Sequence, residues 1–331
     1  MAKSKLELIT LDAAVEQWLR HCSSRMLRPN TLSGYRVVAR QFVAYAGATT
    51  VMSRITRDDI EGFLVHVQAE LVSPAGVAPR PPRQRSPKTV QNMHTALSSL
   101  WTWAVERKVA KVHVVRQVKR PHVPLKPVVP LSAQQVVLLI NACDKTDPWD
   151  TKPLTRSSRP TAVRDKAIIS LAVESCLRVS ELANLRIKDV KTGNRGGQVY
   201  VRDGKGGKDR TVPFSAKANG YIGDYLMTRR GADKDDYLII NEQRNYGLPM
   251  TRGTLAKLIR RIGRRAKVDV HPHLLRTTGA CMLVQHGASA WEVQRIMGHS
   301  EIVTTQRYVQ AAAIDLQAAM ARSSPMDHLR L

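Results

Sequence analysis

Six side chains in the second half of this 331-residue chain have the types that phosphoryl transfer requires: Arg178, Lys205, His273, Arg276, His299 and Tyr308. A phosphodiester can be broken and rejoined without metal or water if the protein itself supplies a nucleophile, positive charge for the phosphate and an acid. Tyr308 offers the nucleophilic oxygen, provided that surrounding charge favours phenolate and a base takes its proton. Arg178 and Arg276 carry planar guanidinium groups that fork two hydrogen bonds to a phosphate. Lys205 is a point charge whose pKa moves when it is desolvated, which makes it a candidate proton donor to a leaving alkoxide, with Lys208 its rival in the same turn. His273 stands three positions before Arg276, so on a helix the two share a face. His299 follows Gly298 directly, where a loop residue can be aimed at a site. Each residue also has an ordinary reading. Arg178 has Glu174 at i−4 and Glu181 at i+3 for ion pairing, Lys205 fits an idle exposed turn, and Tyr308 fits an amphipathic core position with its hydroxyl wet.

The elements that must position these groups are mostly helices. In the first third, amphipathic periodicity places Ala14, Val15, Trp18 and Leu19 on one face of a helix over 11–22. Further helices are expected from Asn30, as N-cap, to about Tyr45; after Thr56, whose spacing to Asp59 marks an acidic first turn; and from the Ser86 cap and Pro87 through Val90, Met93, Leu97, Leu100, Trp101 and Ala104. Residues 72–85 hold four prolines and three arginines and read as an exposed loop. Residues 109–130 mix four prolines with Lys111, Arg116, Lys119, Arg120 and Lys126 and show no periodicity, which predicts an interdomain linker. Ser132 and Gln135 then form a capping box that opens a second domain. Within it, Val199–Val201 and Arg210–Val212 flank a Gly/Lys-rich tip and predict a β-hairpin carrying Lys205, and residues 237–240 predict another short strand. A helix from Thr251 buries Leu255, Leu258, Ile259 and Ile262. Beyond His273 come short helices, one started by the Ser289/Glu292 capping box. The chain is thus expected to be mainly α, with a helical domain over 1–108, a linker over 109–130 and a mixed, mostly helical domain over 131–331 that contains a small antiparallel sheet.

Charge narrows the partner. Lys and Arg number 52 against 27 Asp and Glu, a formal net charge of +25. Residues 1–130 carry 20 basic and 8 acidic side chains and residues 131–331 carry 32 and 19, so both halves can meet a polyanion. The four cysteines, Cys22, Cys143, Cys176 and Cys281, form no CxxC pair and read as core thiols of a cytoplasmic protein. His271 and His273 have no neighbouring ligands at zinc spacing, so no metal is expected. No apolar run is long enough to cross a bilayer.

The segment Cys176-Leu177-Arg178-Val179-Ser180-Glu181-Leu182, the Gly204-Lys205-Gly206-Gly207-Lys208 tip, His273-Leu274-Leu275-Arg276, Gly298-His299 and the terminal Tyr308 occur in the order of the tyrosine recombinase (phage integrase) signature. Residues 131–320 resemble that family's catalytic domain, and residues 8–107 resemble its SAM-like core-binding domain. Thr277 stands where the family often has histidine, and residues 147–160 look like an extended loop. The resemblance implies a site-specific recombinase with no cofactor. Tyr308 would form a 3′-phosphotyrosyl bond, Arg178, Arg276 and His299 would bind the non-bridging oxygens, Lys205 would protonate the 5′-oxygen, His273 would assist proton transfer, and Glu181 would orient Arg178. The implied partners are double-stranded DNA, three further copies of the chain on two DNA sites, and accessory proteins or a partner recombinase where the system uses them. A domain that starts almost at residue 1 implies the two-domain Xer or Cre arrangement. Residues 311–321, rich in alanine, resemble the family's segment that docks on a neighbouring protomer, against an ordinary closing helix. Two alternatives remain open at this point: a type IB topoisomerase, and a non-catalytic DNA-binding protein on the same scaffold.

Overall fold

The computed structural model describes residues 9–72, 81–124, 129–145, 159–202, 209–242, 247–298 and Tyr308. The chain divides into two compact units, Met1–Lys126 and Pro127–Leu331, each with its own hydrophobic core.

The first unit is built from α1 (Leu11–Ser24), α2 (Pro29–Ala46), α3 (Arg57–Ala69), α4 (Pro87–Glu106) and the short α5 (Val114–Gln117), with a minimal antiparallel pair, β1 (Leu71–Val72) and β2 (Arg83–Gln84), at the ends of the proline-rich loop. Side-chain caps define the starts. Thr10 accepts a hydrogen bond from the Ala13 amide, Ser86 accepts one from the Thr89 amide, and Thr56 and Asp59 form a reciprocal capping box. α2 starts two residues earlier than expected. Pro29 occupies its first turn and Arg28 is the cap, because the fixed φ of proline is already helical and its missing N–H costs nothing there. The apolar stripes meet around Phe42, which stands edge-on to Phe63 (5.1 Å between centroids) and to Trp101 (5.7 Å).

The stretch expected as a linker is divided in character. Val109, Ala110, Val115 and Val118 are buried in the first unit's core. His113 caps α5 by accepting from the Arg116 amide at 3.2 Å, and its Nε2 lies 3.1 Å from the Ser98 carbonyl. The Gln91 amide donates to the Pro121 carbonyl at 3.0 Å. A one-turn helix and a few isolated apolar residues satisfy the core without generating any period that a sequence window detects.

The second unit comprises α6 (Ala133–Ala142), α7 (Ala162–Glu174), α8 (Val179–Ala183), the antiparallel sheet β3 (Val190–Gly193), β4 (Gly196–Val201) and β5 (Arg210–Ser215), then α9 (Ala216–Thr228), α10 (Arg252–Ala266), α11 (Pro272–Gln285) and α12 (Ala290–Met297). The Ser132/Gln135 and Ser289/Glu292 capping boxes form as expected. The expected hairpin is β4 and β5, paired with Val199 opposite Val212 and Val201 opposite Arg210. β3 adds a third strand that the sequence did not announce, since Val190 is its one buried residue. The strand expected over 237–240 reduces to two isolated bridges, Arg186 with Tyr237 and Ile240 with Pro249. Most of the expected extended loop at 147–160 lies outside the described residues.

α7 runs through the middle of this unit and is buried on nearly all sides, Arg164 and Asp165 included. These two neutralise each other, with Arg164 Nε and Nη2 donating to Asp165 Oδ1 at 3.1 and 2.7 Å while Nη1 donates to the Ile240 carbonyl at 3.2 Å. α11 packs against α7 at a distance that only glycine permits. A Cβ at Gly279 would lie 1.9 Å from the Val173 carbonyl oxygen and 2.9 Å from Cys176 Sγ. Gly279→Ala is therefore expected to cost about 1–3 kcal/mol or more through overpacking, read as a lower melting temperature of the second unit in the full chain. An unchanged melting curve would contradict this packing.

Candidate active site

The site grows from the turn between α7 and α8. Cys176 adopts a left-handed backbone, φ 47°, which a side chain tolerates only when the surroundings impose it. That turn aims the Cys176 carbonyl at Arg276, whose Nη1 donates to it at 2.5 Å. Two residues on, Arg178 occupies the N-cap position of α8, and Glu181 folds back on it. Arg178 donates from its backbone amide to Glu181 Oε2 at 2.9 Å and from Nη1 to Oε1 at 2.7 Å. Glu174, the other partner expected for Arg178, instead accepts from Ser215, whose hydroxyl lies 2.9 Å away.

The opposite wall is the end of α12. The last carbonyls of a helix have no partner inside it, and here arginines supply the donors. Arg276 Nη2 donates to Met297 at 2.8 Å, Arg178 Nη2 to Gly298 at 3.4 Å, and Arg210 Nε to Ile296 at 2.8 Å. Gly298 ends the helix in the left-handed conformation, φ 64°, and a Cβ there would come within 3.0 Å of Arg210.

Arg210 belongs to the site although the sequence reading assigned it only to a strand. Besides Ile296, it pairs end-on with Glu181, Nη1 to Oε1 at 3.1 Å and Nη2 to Oε2 at 2.8 Å. The signal was its phase. In β5 the buried residues are Val212 and Phe214, so period-two alternation puts Arg210 on their face. A guanidinium on a core-facing position demands a buried carboxylate.

Glu181 is thus bonded by two arginines and lies 3.8 Å from a third, Arg276. Burial alone would raise its pKa, but hydrogen bonds from Arg210 and Arg178 and the Arg210 charge outweigh burial and hold it down at about 2. Arg276, with a side chain only 3% exposed, is pushed down to about 10 by burial and by the Arg178 charge, which still leaves it cationic at neutral pH. Three guanidinium groups against one carboxylate leave an excess of positive charge in a partly dry site, the electrostatics of an oxyanion or phosphate pocket. Arg178, at 25% exposure, is the most accessible of the three.

The remaining expected residues are distributed unevenly. Lys205, Lys208 and His299 lie outside the described residues. His273 is exposed in the first turn of α11, whereas Arg276, one turn further, is buried. His271 caps this helix by accepting from the Leu274 amide at 3.2 Å, and its ring stacks 6.5 Å from that of His273. Tyr308 is buried, not wet, in a cluster with Cys176, Ala280, Cys281, Val293 and Met297. The structure therefore gathers Arg178, Glu181 and Arg276 in one cluster and buries Tyr308 in the apolar cluster that also includes Cys176, whose carbonyl holds Arg276. Burial raises the Cys176 thiol to about 12 and the Cys281 thiol to about 11, so both remain protonated packing groups. Among the described residues, no group of three or more His, Cys, Asp or Glu could hold a metal ion, and no helix is long and apolar enough to cross a membrane.

Residues 130–314 match the model of the phage integrase family. The chain belongs to that family. Tyrosine recombinase XerD of Ralstonia nicotianae is 34% identical over 245 residues, covering 72% of this chain and 73% of that protein. Tyrosine recombinase XerA of Pyrococcus furiosus is 35% identical over 167 residues, but the match spans only 57% of XerA and 50% of this chain. Among solved structures, a lambda integrase tetramer bound to a Holliday junction shares the fold with a TM-score of 0.67 at 16% identity, over 93% of this chain and 80% of lambda integrase. The mainly helical architecture with its small antiparallel sheet is that of tyrosine recombinases.

The depressed Glu181 pKa carries a sign. Because the folded value, about 2, lies below the ordinary 4.5, its contribution to stability is complete above 4.5 and drains away as pH falls towards 2. Glu181→Gln should flatten the acid limb of the unfolding free energy against pH in that window. An acid limb identical to that of the wild type would mean that the carboxylate is not held by the arginines.

Proposed function

We propose that this phage integrase family member is a site-specific DNA recombinase that cuts and rejoins double-stranded DNA through Tyr308. The observation that carries the reading is the Glu181-centred cluster of Arg178, Arg210 and Arg276 at the end of α12, with Tyr308 buried in the apolar cluster that also contains Cys176. Tyr308 Oη attacks the scissile phosphorus, the bond to the 5′-oxygen breaks, and a 3′-phosphotyrosyl ester forms. Lys205 donates the proton that the departing 5′-oxygen takes up, and His273 relays the proton lost by Tyr308. Arg178 and Arg276 bind the non-bridging oxygens and His299 adds a hydrogen bond, so charge that grows in the pentacoordinate transition state meets donors already in place. Glu181 holds Arg178 in register.

The ester keeps the energy of the broken bond, so no nucleotide cofactor is required. Attack by the 5′-hydroxyl of a second duplex reverses the chemistry and exchanges strands. Exchange on both strands of two duplexes uses four copies of the chain, the arrangement named for the lambda integrase tetramer on its Holliday junction. The surplus positive charge, present in both units, suits a long phosphate backbone. Accessory proteins or a partner recombinase would add to this core wherever a given target site uses them.

A suicide substrate nicked near a core site traps the intermediate. Wild type should yield a covalent protein–DNA adduct on a denaturing gel and Tyr308→Phe none, with strand transfer to a second duplex following in the wild type. An adduct that persists in Tyr308→Phe sinks the nucleophile assignment. Adduct formation followed only by religation of the same strand would mark a topoisomerase instead.

A further inference from the structure

The proposed chemistry assigns steps to Arg178 and Arg276 and none to Arg210, yet Arg210 is bonded through all three of its guanidinium nitrogens. It opens β5 and reaches two separate elements. Its Nε donates to the Ile296 carbonyl in the last turn of α12, and its two terminal nitrogens span both oxygens of Glu181 in α8. Bidentate pairing of this kind fixes the plane of the carboxylate as well as its position. Each Glu181 oxygen then takes one further donor, the Arg178 Nη1 at 2.7 Å or the Arg178 amide at 2.9 Å. With Arg210 in place the carboxylate has a single orientation, and that orientation is the one that bonds Arg178. The Arg210 side chain is only 10% exposed, against 25% for Arg178.

We infer that Arg210 is a positioning residue for strand cleavage: it locks Glu181 to the end of α12, so that Arg178 is presented to the scissile phosphate, and it anchors the strand that follows Lys205. The inference rests on the reading of Tyr308 and Arg178 given above. Lysine cannot replace it, because one ammonium nitrogen cannot reach both carboxylate oxygens and a carbonyl on the opposite edge. The anchoring also links acid to anion site along the chain, since Lys205 lies five residues before Arg210.

The test is single-turnover cleavage of the nicked suicide substrate by the full chain as wild type, Arg210→Lys, Glu181→Gln and the double variant. Arg210→Lys should bind DNA with wild-type affinity and cleave about 10²-fold more slowly, the size of loss expected when reacting groups are misplaced by an ångström. In the Glu181→Gln background the same change should add little, because both act through one carboxylate. A wild-type cleavage rate in Arg210→Lys overturns the inference. So does a fully additive loss in the double variant, or a loss of DNA affinity as large as the loss of rate, either of which would make Arg210 a direct DNA ligand. If the wild type forms no adduct, the recombinase reading fails, and the clamp is judged by exchange of the Arg210 Nε–H in the wild type. Slow exchange that Glu181→Gln accelerates upholds the clamp, and fast exchange in the wild type removes it. The same measurement decides the matter if Arg210→Lys does not fold.

Discussion

The site depends on one carboxylate holding like charges together. Arg178, Arg210 and Arg276 come from three distant stretches of chain and would repel one another if brought together alone. Glu181 accepts four hydrogen bonds from two of them and faces the third at 3.8 Å. The end of α12 does the rest. The carbonyls of Ile296, Met297 and Gly298, each bonded by one of these arginines, lie at the negative end of the helix dipole, which favours cations there. One acidic side chain and one helix terminus thus create a dense cationic pocket in which three guanidinium groups still outweigh their negative partners, and a phosphate is the natural complement.

Such an arrangement carries costs that are visible elsewhere. Burying Arg276 lowers its pKa, so part of the folding energy of the second unit goes into keeping it charged. Cys176 is held in a left-handed conformation so that its carbonyl can meet Arg276. Gly279 lets α11 approach α7 closely enough to bring Arg276 within reach, and Gly298 caps α12 in a left-handed conformation against Arg210. The apolar cluster around Cys281, Val293, Met297 and Tyr308 provides the rigid backing. These are the compensations expected where function asks for geometry that stability alone would not choose.

The first unit contributes a different kind of order. Its core is aromatic and closely packed, and it extends past α4 to include Val115 and Val118. Positive charge is shared between the two units, so neither alone accounts for the attraction to a polyanion. Family membership rests on the second unit, where the matched residues begin at 130.

Much of this was written in local sequence. The caps Thr56, Ser86, Ser132, Thr251 and Ser289, the stripes of α1, α4 and α10 and the β4–β5 hairpin could all be read because each depends on residues within a turn or two of one another, whereas Arg178, Glu181 and Arg276 stood out only through a signature spread over the chain. What escaped was set by contacts between segments far apart. The burial of Val109, Ala110, Val115 and Val118 depends on a core made by other helices, and the place of Glu174 was decided by Ser215, forty-one residues away. Arg210 could be seen to face the core, but not to clamp Glu181, until α8, β5 and α12 met. Sequence alone determined which chemical groups the chain owns and which elements carry them. Only the tertiary structure decided which guanidinium faces outward, which is buried and which braces the others, because burial and charge pairing are properties of the packed interior and have no counterpart along a single strand of residues.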